Sequence, residues 1–164
     1  MPKQPKLYLE TSLIGFYNDV KEQNRSKRKA VRTLFEQTRK GFFTAFVSPI
    51  TIIEISNSPE PYRASDLALL QTSGIENLDI DEDEVDKLHK LYCKEVVTPQ
   101  RHEDDLMHIA YAVLSDVDIL VSYNFKHINN LKVKKFIDNI NLRKGYRTDL
   151  VIASPEEVIY YEEE

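Results

Sequence analysis

Five short apolar runs constrain the fold of this chain more than any other feature of its sequence. Lys6 to Glu10, Phe43 to Ser48, Ile75 to Ile80, Asp118 to Ser122 and Asp149 to Ala153 are brief, rich in β-branched and aromatic residues, and closed by turn or capping residues. That is how buried strands read. The segments between them carry helical periodicity. From near Arg101, Leu106, Ile109, Ala110, Val113 and Leu114 form one apolar stripe of an amphipathic helix. Asp81 to Glu95 opens on Asp81, Glu82, Asp83 and Glu84, which suit the positive end of a helix dipole, and then sets Val85, Leu88, Leu91 and Tyr92 on one face. Ser48 followed by Pro49 is an N-cap and first-turn pair, so the apolar run after it reads as helix. Strands alternating with helices imply a mostly parallel sheet covered on both faces, a three-layer α/β/α sandwich.

Composition limits the alternatives. A length of 164 residues fits one domain, read here as residues 1–164 with 159–164 as an acidic tail whose end, Glu162 to Glu164, is expected to fray. Hydrophobic residues at 41% and charged residues at 30% are those of a chain that folds. No apolar stretch is long enough to span a membrane and no signal-peptide core is present, so a cytoplasmic protein is expected. The glycines are too scattered for a Walker loop or a G-x-G-x-x-G turn. Cys93 stands alone, which excludes an internal disulfide and directs any metal hypothesis to oxygen or histidine ligands.

In open parallel sheets ligands bind outside the carboxyl ends of the strands. Glu10 closes the first strand and precedes Thr11 and Ser12, whose hydroxyls can cap the next helix or orient the carboxylate; alternatively Glu10 is a solvated strand end. Glu54 lies among isoleucines in Ile50 to Ile55, so it either faces a polar pocket or a cation, or reaches solvent. Asp104 and Asp105 open the striped helix, where dipole reasons alone would favour acids, and His108 follows as a hydrogen-bond partner or a half-buried helix residue. Past the fourth strand come Ser122, Tyr123, Asn124, Lys126 and His127. Carboxylate and amide oxygens from separate elements at one sheet end can hold Mg²⁺ or Mn²⁺, whose retained water can attack phosphorus.

These residues resemble the motifs of the PIN-domain family of nucleases, which includes the VapC-type toxins of toxin–antitoxin systems. Leu7-Tyr-Leu-Glu-Thr-Ser12 resembles the first motif, with Glu10 where Asp is usual. Ser48-Pro to Glu54 resembles the second, Asp105-Leu-Met-His-Ile-Ala110 the third, and Leu120-Val-Ser-Tyr-Asn-Phe-Lys-His127 the fourth. The likeness continues through Asn141, Gly145-Tyr146 and Ser154 to Val158. It implies a Mg²⁺- or Mn²⁺-dependent endoribonuclease with Glu10, Glu54, Asp105 and Asn124 as catalytic residues. Glu10, Asp105 and Asn124 are then the metal ligands, with Ser12, Ser122, Asp104 and His127 in support. Asn124 stands where many members carry a fourth acid; it brings no charge and cannot act as a base. The resemblance also implies an antitoxin protein partner and pairing of two copies.

Charge is polarised within the net −5. Val20 to Lys40 and Lys126 to Arg147 each balance to +6, whereas Glu76 to Asp86 holds seven acids and no base. Basic runs beside an acidic pocket suit a phosphate backbone, with Arg25, Lys27, Arg28 and Lys126 as the RNA-binding candidates; each run reads equally as a solvated helix face. Phe16, Tyr17 and Tyr123 are candidates for stacking on bases, or are packing residues. Two competing readings are a PIN scaffold with weakened catalysis that binds RNA or protein, and a small phosphoester hydrolase using the same metal chemistry.

Overall fold

A computed structural model describes residues 3–98, 102–124 and 131–162. The strands are β1 (Lys6–Leu9), β2 (Thr44–Val47), β3 (Glu76–Asn77), β4 (Ile119–Val121) and β5 (Val151–Ala153). All the ladders are parallel, in the order β3-β2-β1-β4-β5. Every apolar run read as a strand contributes one. The run at Ile75 to Ile80 is trimmed to the two-residue edge strand β3: Leu78 N–H still donates to Val47 O at 2.9 Å, and past that bond the chain leaves β2, with Leu78 and Ile80 packed onto the core.

The helices are α1 (Thr11–Tyr17), α2 (Arg25–Arg39), α3 (Pro49–Ser56), α4 (Tyr62–Thr72), α5 (Glu82–Glu95), α6 (Glu103–Leu114), α7 (Leu131–Lys144) and α8 (Pro155–Val158). β-strand alternation divides the interior in two. Leu7 and Leu9 of β1 face one side with α1, α2 and α4, while Tyr8 faces the other with α5, α6 and α7. With both faces buried, the sheet can be written in continuous apolar runs. The outcome is the three-layer α/β/α sandwich.

Local chemistry sets the helix ends. Asp81 caps α5 by accepting from Asp83 N at 3.0 Å, and Ser154 with Glu157 forms a capping box on α8. Gly145, at φ +76°, ends α7 in the left-handed region: its N–H reaches Leu142 O and Tyr146 N–H reaches Asn141 O, the 5→2 and 6→1 bonds of a Schellman turn. The segment just before the acidic end is tied down at Tyr160, whose N–H donates to Gln37 Oε1 at 2.9 Å and whose carbonyl accepts from Gln37 Nε2 at 2.7 Å. Its ring also stacks on Phe43, centroids 5.6 Å apart. Ile159, Tyr160 and Tyr161 precede the acids Glu162 to Glu164, the end expected to fray, of which Glu163 and Glu164 lie outside the described residues. Among the described residues no helix is long and apolar enough to cross a membrane.

Candidate active site

The strand order places a topological switch point between β1 and β4: the chain winds outward through β2 and β3, then crosses to β4 and β5 on the other side. Crevices in parallel sheets open at such a point, at the carboxyl ends of the strands. Glu10 leaves β1 and Ser122 leaves β4 there, and the ladder keeps them adjacent through the bond from Glu10 N to Val121 O at 3.1 Å.

Glu10 is 4% exposed, so it is no solvated strand end. Its Oε2 accepts from Ser12 N at 3.1 Å, from the Ser12 hydroxyl, and from Ser122 Oγ at 3.0 Å. The carboxylate is thereby also the N-cap of α1. The structure brings Ser12 and Ser122 together as the two hydroxyls that hold it. Both pass the network on: Ser122 Oγ accepts from Asn124 N at 2.8 Å and Ser12 Oγ from Tyr123 N at 3.3 Å, fixing the chain just past β4.

Asp105 enters from the first turn of α6, 7% exposed, on the buried edge of the apolar stripe. Its Oδ1 accepts from Asn124 Nδ2 at 2.9 Å, while its buried Oδ2 has no hydrogen-bond partner. Burial, reinforced by the negative charge of Glu10, pushes the Asp105 carboxyl up to about 6; His108 and His102 offset part of that and Glu54 adds to it. Asp104, one residue earlier, is exposed and lines the same depression as Glu54, His102, Glu103, Asp105 and Asn124, an open cavity of about 540 Å³.

Glu54 resolves toward the polar-pocket alternative. Its neighbours on α3 split across the sheet end, Ile50 packing toward the α5–α6 side, Ile55 toward the α1–α2 side, and Ile53 to solvent. The carboxylate therefore sits between α1 and α6. Its Oε1 accepts from Thr11 Oγ1 at 2.8 Å and lies 2.5 Å from His108 Nε2. Burial alone would raise this carboxyl, but the hydrogen bond and charge of His108, with Thr11, outweigh it and hold Glu54 below its ordinary value. Glu54 and Asp105 are thus driven in opposite directions by their surroundings, a pattern typical of functional carboxylates.

His108 is fully buried and, among the described residues, makes no hydrogen bond with Asp105; its partners are Glu54, Tyr8 and, at 3.4 Å from Nε2, the Thr11 hydroxyl. Tyr8 Oη lies 2.6 Å from His108 Nδ1 and 2.6 Å from Ser48 Oγ. Ser48 does stand at the N-cap of α3, but its hydroxyl serves Tyr8 instead of the helix end. Thr11, expected to orient Glu10, orients Glu54. Tyr8 gives no sign of this role in the sequence, because an aromatic residue inside an apolar strand reads as packing.

The RNA-binding candidates diverge. Lys27 Nζ lies 5.0 Å from the Phe16 centroid and 5.2 Å from that of Tyr123, above two rings packed edge to face at 5.1 Å. Tyr123 directly precedes Asn124 in the chain. Arg28 is committed to structure, donating to Asp19 O at 2.7 Å, and exposed Arg25 lies 3.5 Å from Glu22. Tyr17 packs on Phe35 and beneath Arg32, away from any stacking role. Lys126 and His127 lie outside the described residues.

The donor set fits a hard cation at Glu10 and Asp105: oxygen ligands, a Glu10 charge that raises the Asp105 carboxyl, and a buried carboxylate oxygen left without a partner. Among the described residues no three His, Cys, Asp or Glu side chains form a ready cage. One or two carboxylates completed by water are how Mg²⁺ is ordinarily held. No family model and no curated protein matches the sequence. The functional reading therefore stands on the geometry of the site and on the motif pattern.

Proposed function

We propose that the chain is a Mg²⁺- or Mn²⁺-dependent endoribonuclease of the PIN-domain kind, hydrolysing RNA phosphodiester bonds at the end of β1 and β4. The observation that carries the reading is the meeting of Glu10, Glu54, Asp105 and Asn124 from four separate elements at one switch point, with Asp105 Oδ2 buried and unpartnered. Glu10, Asp105 and the Asn124 amide would hold the cation. A divalent ion there supplies Lewis acidity and lowers the pKa of a bound water. Ser12 and Ser122 keep Glu10 in one orientation, and Asn124 does the same for Asp105. Glu54, held ionised by His108 and Thr11, is the carboxylate available to orient an attacking water and accept its proton. Lys27 on its aromatic pair supplies positive charge beside the pocket for the RNA backbone. The PIN-like pattern adds a toxin role, with an antitoxin protein and a second copy of the chain as partners.

A mixed RNA pool incubated with the purified chain tests this. Cleavage should require Mg²⁺ or Mn²⁺, stop with EDTA, and vanish in Asp105→Asn. Cleavage that needs no metal, or that survives the substitution undiminished, refutes the assignment. One observation favours a second reading, a PIN scaffold that binds RNA or protein without efficient turnover: neutral Asn124 spends its amide on Asp105 Oδ1, which leaves that carboxylate one free oxygen. RNA binding without metal-stimulated turnover selects it. Activity on a nucleotide monoester with none on RNA selects a phosphoester hydrolase instead.

A further inference from the structure

The polar chain behind Glu54 is not required by the fold. It runs from Ser48 Oγ through Tyr8 Oη and His108 to Glu54 Oε1, crossing from the end of β2 through β1 and α6 to α3. Ser48, Tyr8 and His108 are each 0% exposed, so no water competes for their polar atoms. Packing would be served as well by apolar side chains, and buried polar groups are costly unless every one is satisfied. Here they are satisfied, and the chain ends on a carboxylate of the site.

The hydrogen-bond directions follow from the donors available. Thr11 Oγ1 donates to Glu54 Oε1, and a carboxylate held ionised can only accept, so the atom of His108 facing it must carry a proton. That atom is Nε2. If the ring is neutral, Nδ1 is bare and accepts from the Tyr8 hydroxyl, which in turn accepts from Ser48. If the ring is charged, Nδ1–H donates to Tyr8 and Tyr8 donates to Ser48. Tyr8 can take either part because burial drives its phenol far above its ordinary value and keeps it protonated. Both arrangements present Nε2–H to Glu54. All the polar contacts of Glu54 fall on Oε1, and among the described residues Oε2 is left to the cavity that Glu54 lines.

We propose that His108 is the positioning residue of Glu54: anchored through Nδ1 by Tyr8 and Ser48, its Nε2–H fixes the carboxylate by Oε1 and leaves Oε2 to act on the water that attacks the phosphodiester. The inference rests on the ribonuclease reading of the site. It gives a role to a histidine that touches neither substrate nor metal ligand. It also explains why a strand whose other buried residues are leucines carries a tyrosine between them.

The two ends of the imidazole can be tested separately. A Gln side chain places its amide near the position of Nε2, an Asn side chain near that of Nδ1. His108→Gln keeps a donor for Glu54, whereas His108→Asn keeps the Tyr8 link and loses that donor. Single-turnover cleavage of a labelled RNA in Mn²⁺ should show kcat about 10- to 100-fold lower for His108→Asn, the loss typical when a partner that orients a site ligand is removed. The His108→Gln loss should be distinctly smaller, and KM should be little changed in both. In a Glu54→Gln background the same two substitutions should cost less than about twofold each, because residues acting through one another are not additive. Equal losses in Gln and Asn, or full losses retained in the Glu54→Gln background, overturn the proposal in favour of a structural role. Nitrogen-15 spectra of the unmutated chain give a readout independent of activity and of whether a variant folds: Nε2 should carry the proton. A ring with bare Nε2 and protonated Nδ1 refutes the arrangement. Absence of metal-stimulated cleavage in the unmutated chain would sink the ribonuclease reading and leave the tautomer to decide the geometry.

Discussion

Asp105→Asn should stabilise the metal-free protein while abolishing its proposed activity. The magnitude follows from the site. Burial and the neighbouring charge of Glu10 raise the Asp105 carboxyl from 3.8 to about 6, a difference of about 2, which at about 1.4 kcal/mol per unit amounts to roughly 3 kcal/mol. The sign is fixed by linkage. Between pH 3.8 and about 6 the folded state binds the proton more tightly than the unfolded chain, so stability falls as pH rises through that window. Above it the full cost is present, and below it the cost is gone. An Asn keeps the Oδ1 acceptor that Asn124 uses and replaces the unpartnered Oδ2 with a neutral amine. Urea denaturation without metal should therefore show the variant more stable than the parent by up to about 3 kcal/mol at pH 7.5, with the gain shrinking toward zero near pH 4. Added Mn²⁺ should raise the melting temperature of the parent and leave that of the variant nearly unchanged. A variant less stable than the parent at pH 7.5 would refute the reasoning. So would a gain of equal size at both pH values.

Other perturbations test the supports of the site. Ser122→Ala removes a fully buried donor to Glu10 and the acceptor of Asn124 N–H, and chemical denaturation should show a loss of about 1–3 kcal/mol. Lys27→Ala should weaken RNA binding and make the salt dependence of the affinity shallower by up to about one unit in log–log slope, with little change in melting temperature. Gln37→Ala deletes both hydrogen bonds to Tyr160; limited proteolysis should then release the chain after Val158 while the rest of the domain resists.

The fold was legible because its determinants are local. Leu7, Leu9, Ala45, Val47 and Val121 pack on one face of the sheet and Tyr8, Phe46 and Leu120 on the other, so β1, β2 and β4 are each written as a largely apolar run that needs no tertiary information to recognise. The helix boundary at Asp81 was equally local, since a capping carboxylate acts within three residues. What could not be read locally depends on distant partners. Nothing near Tyr160 announces that Gln37, more than a hundred positions earlier, will satisfy both its backbone groups. Nor does Ile75 to Ile80 reveal that only its middle will find a ladder beside β2.

The same distinction explains the site. Glu10, Glu54 and Asp105 stand out because a carboxylate at a strand end or among isoleucines conflicts with its local setting, and such conflicts mark functional positions. Tyr8, His108 and Ser48 conflict with nothing locally: a tyrosine suits a strand, a histidine suits a helix and a serine suits an N-cap. Only the crossing of β1 with α3 and α6 makes them a chain of polar atoms sealed from water. Sequence logic therefore finds the groups that bear charge in the cavity and the serines beside them that hold Glu10, leaves His108 between a hydrogen-bond partner and a half-buried helix residue, and passes over Tyr8. Charged groups and buried orienting groups differ in consequence as well. Losing a charged group of the cavity removes chemistry and, at Asp105, relieves electrostatic cost. Losing a buried orienting group such as Tyr8 or His108 strands polar partners without water, so it should cost stability together with any effect on activity. Opposite signs of the stability change at Asp105 and at His108 are thus the mark by which a charged site residue and a hidden positioning residue can be told apart in this protein.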